Sequence, residues 1–300
     1  MEITKQNGNI CFAEKEHIYW DQTNPNAKYV SVTTLIHSFT QPFDKEFWSA
    51  YKALEKILDA ESWKILKKEL LQTKKFTKEI LSNYDVQEIE FNKVQQDILD
   101  DWQQENFKSC ERGTKIHAEL ENSMYEMGAN VTLKKFGVGG TFTCEKNRTA
   151  LDLENGVYPE YLISYESPDG ILRIAGQIDL LVKRGNKVII MDWKTNKKID
   201  LKGGFNTQTK STAKMQYPLN TLDDCNYMHY TMQLSTYAWM INKLFGFEIE
   251  DLILVHFDHQ GNKTVYHLDY LEKEVENMLK FHKKNLLKEI QRNKRVPIEY

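Results

Sequence analysis

Two apolar stretches joined by a tight turn constrain the fold of this chain more than any other segment. Residues 174–182 and 188–193 are rich in the β-branched side chains that favour strands, and the Gly-Asn pair at 185–186 is a turn signal. In the resulting hairpin, Asp179 lies near Asp192 across the ladder. Two carboxylates in an apolar setting need a compensating cation, and oxygen ligands suit Mg²⁺ or Mn²⁺. The hairpin therefore predicts a metal site.

A lysine at the end of the second strand strengthens this interpretation. Strand alternation places Lys194 on the same face as Asp192, so an ammonium group would join the two carboxylates. The alternative is an ordinary strand that ends in a surface pair of opposite charges, which contributes little. The apolar setting and the second carboxylate, Asp179, favour the metal site.

The composition is that of a globular protein. The chain has 300 residues, of which 41% are hydrophobic and 28% are charged. Its apolar runs are too short to span a membrane and its start lacks the pattern of a signal peptide, which together predict a cytoplasmic protein. Because the net charge is −3, nucleic-acid binding requires a local basic patch. The basic residues at 280–295 are either such a patch or the solvated face of a terminal helix.

The four cysteines lie far apart, at positions 11, 110, 144 and 225. No C-x-x-C pair exists, which argues against a zinc ribbon and against a dithiol redox site. A disulfide framework is not expected in a cytosolic chain of this size, so we expect four reduced cysteines.

The order of elements predicts a mixed fold. Helical periodicity covers residues 45–71 and 86–125, and a break is expected near residues 110–113. Strands follow from residue 158, and then come a helix that Gly246 ends, two more strands and a C-terminal helix. This order indicates an α/β or α+β core with helical decoration.

Two pairs of polar side chains lie on predicted helices. Thr114 is a good N-cap for a segment in which His117 and Glu121, four residues apart, share one face. Gln233 and Tyr237 share a face of a later helix in the same way. The alternatives to functional roles are a structural histidine and a tyrosine that belongs to the core.

Taken together, these residues resemble the motifs of the PD-(D/E)xK nuclease superfamily. Glu160, Asp179 and the segment Asp192-Trp193-Lys194 are similar to its catalytic motif. The resemblance implies an α/β (α+β) fold with a restriction-endonuclease-like core, in which helices flank a central mixed sheet.

Two further patterns resemble the RecB-like exonuclease branch of this superfamily. The G-T-x-x-H pattern at residues 113–117 is similar to the histidine motif of that branch, and the Q-x-x-x-Y pattern at 233–237 is similar to the motif that follows its core. The segment 28–36 looks like the N-terminal part of relatives that include phage-encoded nucleases and the mitochondrial genome-maintenance exonuclease. The resemblance implies one nuclease domain over residues 1–300.

Within that domain, residues 111–300 would form the catalytic core and residues 40–110 a helical N-terminal elaboration. The elaboration is expected to form a wall or arch through which a single DNA strand threads. Its lysines would supply positive charge, and Phe47, Trp48 and Tyr51 would supply stacking faces. The alternative is that these aromatic side chains are buried in a core.

The chain departs from the family pattern at several points. Ile178 stands where the name of the motif has a proline before the aspartate, a substitution that is usual in the family. Some RecB-like nucleases hold an iron–sulfur cluster on cysteines near the C-terminus, but no cysteine follows Cys225, so no iron–sulfur cluster is expected. A Walker A pattern is also missing, so no motor domain is expected in this chain.

The resemblance implies a divalent metal site with one or two ions of Mg²⁺ or Mn²⁺. The expected ligands are the side chains of Asp179, Asp192 and His117 and the backbone carbonyl of Trp193. Lys194 would orient or deprotonate the attacking water and would stabilise charge on the phosphate.

Other motif residues are expected to act around this centre. Glu160 would complete the catalytic set by binding a second ion or by holding a metal-bound water. The residues expected to position the active site or the DNA are Gln233, Tyr237, Glu121 and Thr195.

The function implied by the resemblance is that of a metal-dependent DNA nuclease. An exonuclease on single-stranded DNA or duplex ends, in DNA replication, recombination or repair, is the leading hypothesis. A phage-encoded enzyme of this kind would act in the host cytoplasm, with a recombination or replication protein as a partner. The alternatives are a structure-specific endonuclease and a non-catalytic DNA-binding subunit, and the intact Asp–Asp–Lys set argues against the latter.

Overall fold

The structure is a computed structural model that describes residues 2–145, 154–206 and 210–293. Lys294 and Arg295 of the predicted basic patch lie outside these ranges. Among the helices that the structure describes, none is both long and apolar enough to cross a membrane.

The chain forms two compact units. The first comprises Met1–Gln41, Lys115–Asn206 and Ser211–Tyr300, and the second comprises Pro42–Thr114 and Thr207–Lys210. The expected division of one nuclease domain into a helical elaboration and a catalytic core stays a prediction.

The strands of the described residues are, in chain order, β1 (Lys5–Asn7), β2 (Ile10–Ala13), β3 (Ile18–Asp21), β4 (Val30–Ser31), β5 (Val131–Leu133), β6 (Val138–Phe142), β7 (Gly156–Glu166), β8 (Arg173–Arg184), β9 (Lys187–Lys194), β10 (Phe205–Asn206), β11 (Ser211–Thr212), β12 (Glu248–Phe257) and β13 (Lys263–His267). The α-helices are α1 (Val32–His37), α2 (Lys45–Ile57), α3 (Ala60–Thr73), α4 (Glu79–Asn83), α5 (Glu88–Met127), α6 (Asn226–Phe245) and α7 (Glu272–Asn293).

The first unit is built on a mixed sheet in the order β13-β12-β9-β8-β4, with β7 also paired to β8. The β8–β9 pair is antiparallel, as the turn at residues 185–186 predicts. β12 is parallel to β9, and the connection between them contains α6. Helices flank this sheet, so the predicted fold class, a mixed α/β fold with a central mixed sheet flanked by helices, is confirmed.

Apolar side chains from the sheet contribute to two buried clusters. One cluster joins the sheet to α1, α6 and α7, and it includes Ile178, Ile190 and Leu254. The other joins the sheet to the end of α5 and to the β5–β6 hairpin, and it includes Met191 and Trp193. Because each large apolar side chain contributes about 1.5–3 kcal/mol when fully buried, these clusters hold the ends of β8 and β9 firmly in place.

The helices of the front half differ from the sequence prediction in two places. The predicted helix over residues 45–71 is two helices, because α2 ends at Ile57 and Asp59 caps α3 by accepting hydrogen bonds from the backbone amides of Glu61 and Ser62. The predicted break near residues 110–113 is wrong, since α5 runs without interruption from Glu88 to Met127. One glycine inside a helix costs only about 1 kcal/mol, which a helix of this length tolerates. Thr114 is therefore an interior residue and caps nothing.

The start of α1 and the end of α6 both have well-defined caps. Ser31 caps α1 and accepts a hydrogen bond from the backbone amide of Thr34. Gly246 ends α6 in the left-handed conformation, with φ of 71°, as predicted.

The second unit has its own core, formed by α2, α3, α4 and the first part of α5. Phe47 and Tyr51 are buried in it, with 4% and 6% exposure. Their rings therefore pack against the core and are not available for stacking on DNA bases, which corrects the expected role of these two residues.

Candidate metal centre and active site

Three carboxylates lie side by side across three neighbouring strands. Leu180 pairs with Met191 in the β8–β9 ladder, and one further step brings Asp179 opposite Asp192. On the other edge of β8, the β7 register leaves Glu160 opposite Asp179. The carboxylates of Asp179 and Asp192 are buried, with exposures of 9% and 2%. The predicted proximity of these two aspartates follows from the hairpin register.

Glu160 adopts an unusual backbone conformation. Its φ is 52°, in the left-handed region, while the neighbouring residues of β7 stay paired with β8. A residue with a Cβ atom pays about 1–2 kcal/mol for this conformation, and such strain is concentrated at functional sites. Its side chain is 8% exposed and directed toward Asp179 and the histidine of α5.

His117 reaches this carboxylate row from α5. Its Nδ1 lies 3.3 Å from Oε1 of Glu160, and its Nε2 lies 3.7 Å from Oδ2 of Asp179. Nε2 also lies 3.1 Å from the backbone carbonyl oxygen of Trp193. The imidazole therefore contacts two of the predicted ligand groups, the carboxylate of Asp179 and the carbonyl of Trp193, and also the carboxylate of Glu160.

These donors suit a divalent cation. His117, Glu160 and Asp179 each offer one ligand atom, and the three atoms lie within 4.8 Å of one another. One imidazole nitrogen with two carboxylate oxygens and a nearby carbonyl is a donor set that Mg²⁺ tolerates and Mn²⁺ favours. Of the predicted ligands, the structure brings together His117, Asp179 and the carbonyl of Trp193, and it adds Glu160.

The pKa values of His117 and Asp179 are both raised in this cluster. Burial alone would lower the pKa of His117, but the carboxylates of Asp179 and Glu160 raise it to about 9. Burial and the charge of Asp192 raise the pKa of Asp179 to about 7. Nearby negative charge explains the raised pKa of His117, whereas the raised pKa of Asp179 comes first from burial and then from the charge of Asp192.

Lys194 is held by Asp192. Its Nζ lies 2.6 Å from Oδ2 of Asp192 and 4.9 Å from the centre of the Tyr230 ring. Burial would lower the pKa of Lys194, but Asp192 and Asp179 raise it above its ordinary value. The ammonium group therefore keeps its proton in this environment.

The predicted pair on α6 supports the same aspartate. Gln233 donates a hydrogen bond from Nε2 to Oδ1 of Asp192 at 3.1 Å. Tyr237, one turn further on, is 3% exposed, and a side-chain hydrogen bond links it to Gln233. Burial raises the pKa of Tyr237 well above its ordinary value, so its hydroxyl stays neutral. A hydrogen-bonded series therefore runs from Tyr237 through Gln233 and Asp192 to Lys194.

Comparison with known families agrees with this geometry. The family model of the PD-(D/E)XK nuclease superfamily matches residues 34–299. The chain belongs to this superfamily. Its members are nucleases that use divalent metal ions, and this chain has a cluster of one histidine and two carboxylates that could hold one. A search of curated proteins finds no match to this sequence.

Two solved structures are similar at low identity. A crystal structure named SSO0001 is 17% identical over 64% of this chain, with a TM-score of 0.32, and the chain spans 63% of that protein. The structure of a "Putative exonuclease" from Eubacterium rectale is 12% identical, covers 92% of this chain and 85% of its own, and has a TM-score of 0.34. Neither similarity is strong enough to carry an argument about function.

The remaining predicted site residues lie at the edge of this PD-(D/E)XK centre. Glu121 lies four residues after His117 on α5, with its Oε2 4.0 Å from Nζ of Lys5. Thr195 follows β9 directly and is half-buried.

Several site residues were not identified from the sequence. Lys5 of β1 lies 3.0 Å from Oε2 of Glu160, although 155 positions separate the two residues. The ring of Tyr230 lies against the ammonium group of Lys194, and burial raises the pKa of Tyr230 although the charge of Lys194 lowers it. Tyr230 lies three residues before Gln233 on α6, so helical spacing from the Q-x-x-x-Y motif is the signal that could have identified it.

The close approach of β8 to Tyr237 leads to a first prediction. A Cβ atom on Gly176 would lie 2.6 Å from Cε1 and 2.8 Å from the hydroxyl oxygen of Tyr237. Gly176→Ala is therefore expected to lower the free energy of unfolding by about 1–3 kcal/mol, because the buried ring cannot move freely. Urea denaturation measures this change. Gly139→Ala, in a strand where a Cβ would meet nothing within 4 Å, is the matched control. Equal stability of the two variants would contradict the prediction.

Proposed function

We propose that this chain is a metal-dependent exonuclease of the RecB-like branch, which hydrolyses phosphodiester bonds in single-stranded DNA or at duplex ends. Its cellular role would be in DNA replication, recombination or repair. The observation that carries the nuclease chemistry is the cluster of His117, Glu160 and Asp179 beside the protonated Lys194. The RecB-like assignment is supported by the order and spacing of the two motifs around residues 113–121 and 233–237.

The donor set would hold the ion through His117, Glu160, Asp179 and the carbonyl of Trp193. A divalent ion supplies charge neutralisation at phosphorus and lowers the pKa of an attacking water. Asp192 stays a predicted ligand as well. Each of its oxygens already has one partner, but a carboxylate oxygen carries two acceptor positions, so one position remains for an ion.

Lys194 acts in this proposal as a donor of hydrogen bonds and not as a base. Hydrolysis joins the water oxygen to phosphorus and breaks the ester bond to the leaving sugar oxygen, which takes up a proton from solvent, while negative charge develops on the phosphate oxygens. A positioned ammonium group stabilises that charge. Deprotonation of water by Lys194 would first require the ammonium to lose its proton, which its contact with Asp192 opposes. Water must therefore lose its proton to another acceptor, such as solvent.

Gln233 and Tyr237 would act as positioning residues. Their hydrogen bonds fix the orientation of Asp192, and Asp192 in turn fixes Lys194. Glu121 would adjust the charge around Glu160 through Lys5, and Thr195 would lie at the exit of β9 toward the DNA.

Digestion of DNA with different ends tests the exonuclease proposal. Linear single-stranded, linear duplex and closed circular single-stranded DNA are incubated with the protein and Mg²⁺ or Mn²⁺. We expect degradation of at least one linear form, intact circles, and no degradation of any form with EDTA. Cleavage of circles at a rate comparable to that of linear single strands would replace the exonuclease by an endonuclease. Absence of any cleavage would leave the non-catalytic DNA-binding subunit.

A further inference from the structure

Strand β1 brings a lysine to the carboxylates of the metal centre. Lys5 and Asn7 lie on one face of β1, since they are two residues apart. Asn7 donates a hydrogen bond to the backbone carbonyl of Leu162 on β7 at 2.7 Å. This contact holds β1 beside β7, and Lys5 thereby reaches Glu160.

The ammonium group of Lys5 lies between two carboxylates. Its Nζ is 3.0 Å from Oε2 of Glu160 and 4.0 Å from Oε2 of Glu121. The side chain of Glu160 is only 8% exposed, so its charge needs a nearby cation. His117 contacts Oε1 of Glu160, whereas Lys5 contacts Oε2. The two oxygens of this carboxylate therefore face different partners, one on the side of the metal ligands and one on the side of β1.

The position between Glu160 and Glu121 is already filled by a cation. An imidazole that binds a metal is neutral, so His117 in that state no longer offsets the charge of Glu160. Lys5 then supplies the ammonium group beside Oε2 of Glu160, and the same ammonium group lies 4.0 Å from Oε2 of Glu121.

We infer that the ammonium group of Lys5 takes the place that a second divalent ion would occupy between Glu160 and Glu121, so that each chain binds one ion. This inference rests on the proposed metal-dependent function and specifies its stoichiometry. Lys5, on the first strand of the chain, neutralises the charge at Oε2 of Glu160. Oε1 of Glu160 would remain available as a metal ligand.

Counting bound Mn²⁺ tests this inference without reference to activity. The paramagnetic resonance signal of free hexaaqua Mn²⁺ is measured during titration of the full chain, and the missing signal gives the ions bound per chain. The variants are Lys5→Met, which keeps the length of the side chain without its charge, and Lys5→Arg, which keeps the charge. Lys15→Met, at an exposed lysine in the turn between β2 and β3, is the matched control.

The wild type, Lys5→Arg and Lys15→Met are expected to bind one ion. Lys5→Met is expected to bind a second, with an affinity raised by about tenfold or more over any second binding to the wild type. Adding Glu121→Gln to Lys5→Met is expected to restore a stoichiometry of one. Circular dichroism confirms that each variant is folded.

The outcomes distinguish a failure of this inference from a failure of the proposed metal-dependent function. Two ions bound by the wild type would overturn the role of Lys5, whether or not any variant folds. A folded Lys5→Met variant that still binds one ion would overturn it as well. Absence of Mn²⁺ binding by the wild type would overturn the proposed metal-dependent function itself, and the inference about Lys5 with it.

Discussion

Asp179→Asn is expected to reduce the rate of DNA hydrolysis by about a hundredfold or more while the fold stays intact. The carboxylate of Asp179 is shared by the ligand cluster and by the backbone amide of Trp193, which donates a hydrogen bond to Oδ2 at 2.7 Å. An amide oxygen preserves the acceptor for that bond but is a poor ligand for a divalent ion. The measurement is the initial rate of nucleotide release at saturating Mn²⁺.

The stability of the same variant provides an internal check. Burial and Asp192 raise the pKa of Asp179 to about 7, above the value of the unfolded chain. The folded protein therefore favours the protonated carboxyl group over the ionised one. The wild type loses this stabilisation as pH rises through the folded-state pKa. At pH 8, Asp179→Asn should leave the free energy of unfolding equal to or above that of the wild type.

The control for this substitution is Asp169→Asn. Asp169 lies in the turn between β7 and β8, is exposed and pairs with Lys283. Its substitution should leave hydrolysis unchanged. Activity of Asp179→Asn within a few-fold of the wild type would exclude Asp179 as a metal ligand.

Lys194→Gln is expected to slow the chemical step by about a hundredfold or more, because a neutral side chain cannot stabilise the charge that develops on the phosphate. Glutamine still donates a hydrogen bond to Asp192, which limits the cost of leaving that buried carboxylate without its cation. Single-turnover rates with excess protein isolate the chemical step, and titration of labelled DNA in EDTA measures binding separately.

Lys187→Gln is the matched control for the lysine substitution. Lys187 lies at the exposed start of the same strand, β9. The control variant should show the single-turnover rate of the wild type. If Lys194→Gln kept that rate and lost only DNA affinity, Lys194 would be a phosphate contact without a role in the chemical step.

The part of the site that could be predicted from sequence is the part made by local structure. The turn at residues 185–186 sets the register of a hairpin, and that register alone brings Asp179 near Asp192. Helical spacing likewise places His117 with Glu121, and Gln233 with Tyr237. Such relations need no knowledge of how distant segments pack.

The part that could not be predicted depends on distant segments. Lys5 reaches Glu160 only because β1 lies along β7, and no local pattern encodes that contact. The left-handed conformation of Glu160 is imposed by its surroundings, since glutamate has no preference for it. The continuity of α5 was mispredicted because a glycine–threonine pair looks like a helix boundary locally, whereas the intact backbone hydrogen bonds of a long helix outweigh it.

The most direct test of the metal centre is the location of a bound ion. Crystals of the protein grown with Mn²⁺ are measured at the manganese absorption edge, where anomalous scattering locates the ion independently of the protein phases. We predict a peak within about 2.0–2.4 Å of a nitrogen of His117 and of carboxylate oxygens of Glu160 and Asp179. Manganese bound elsewhere, with no peak at these three side chains, would contradict the account.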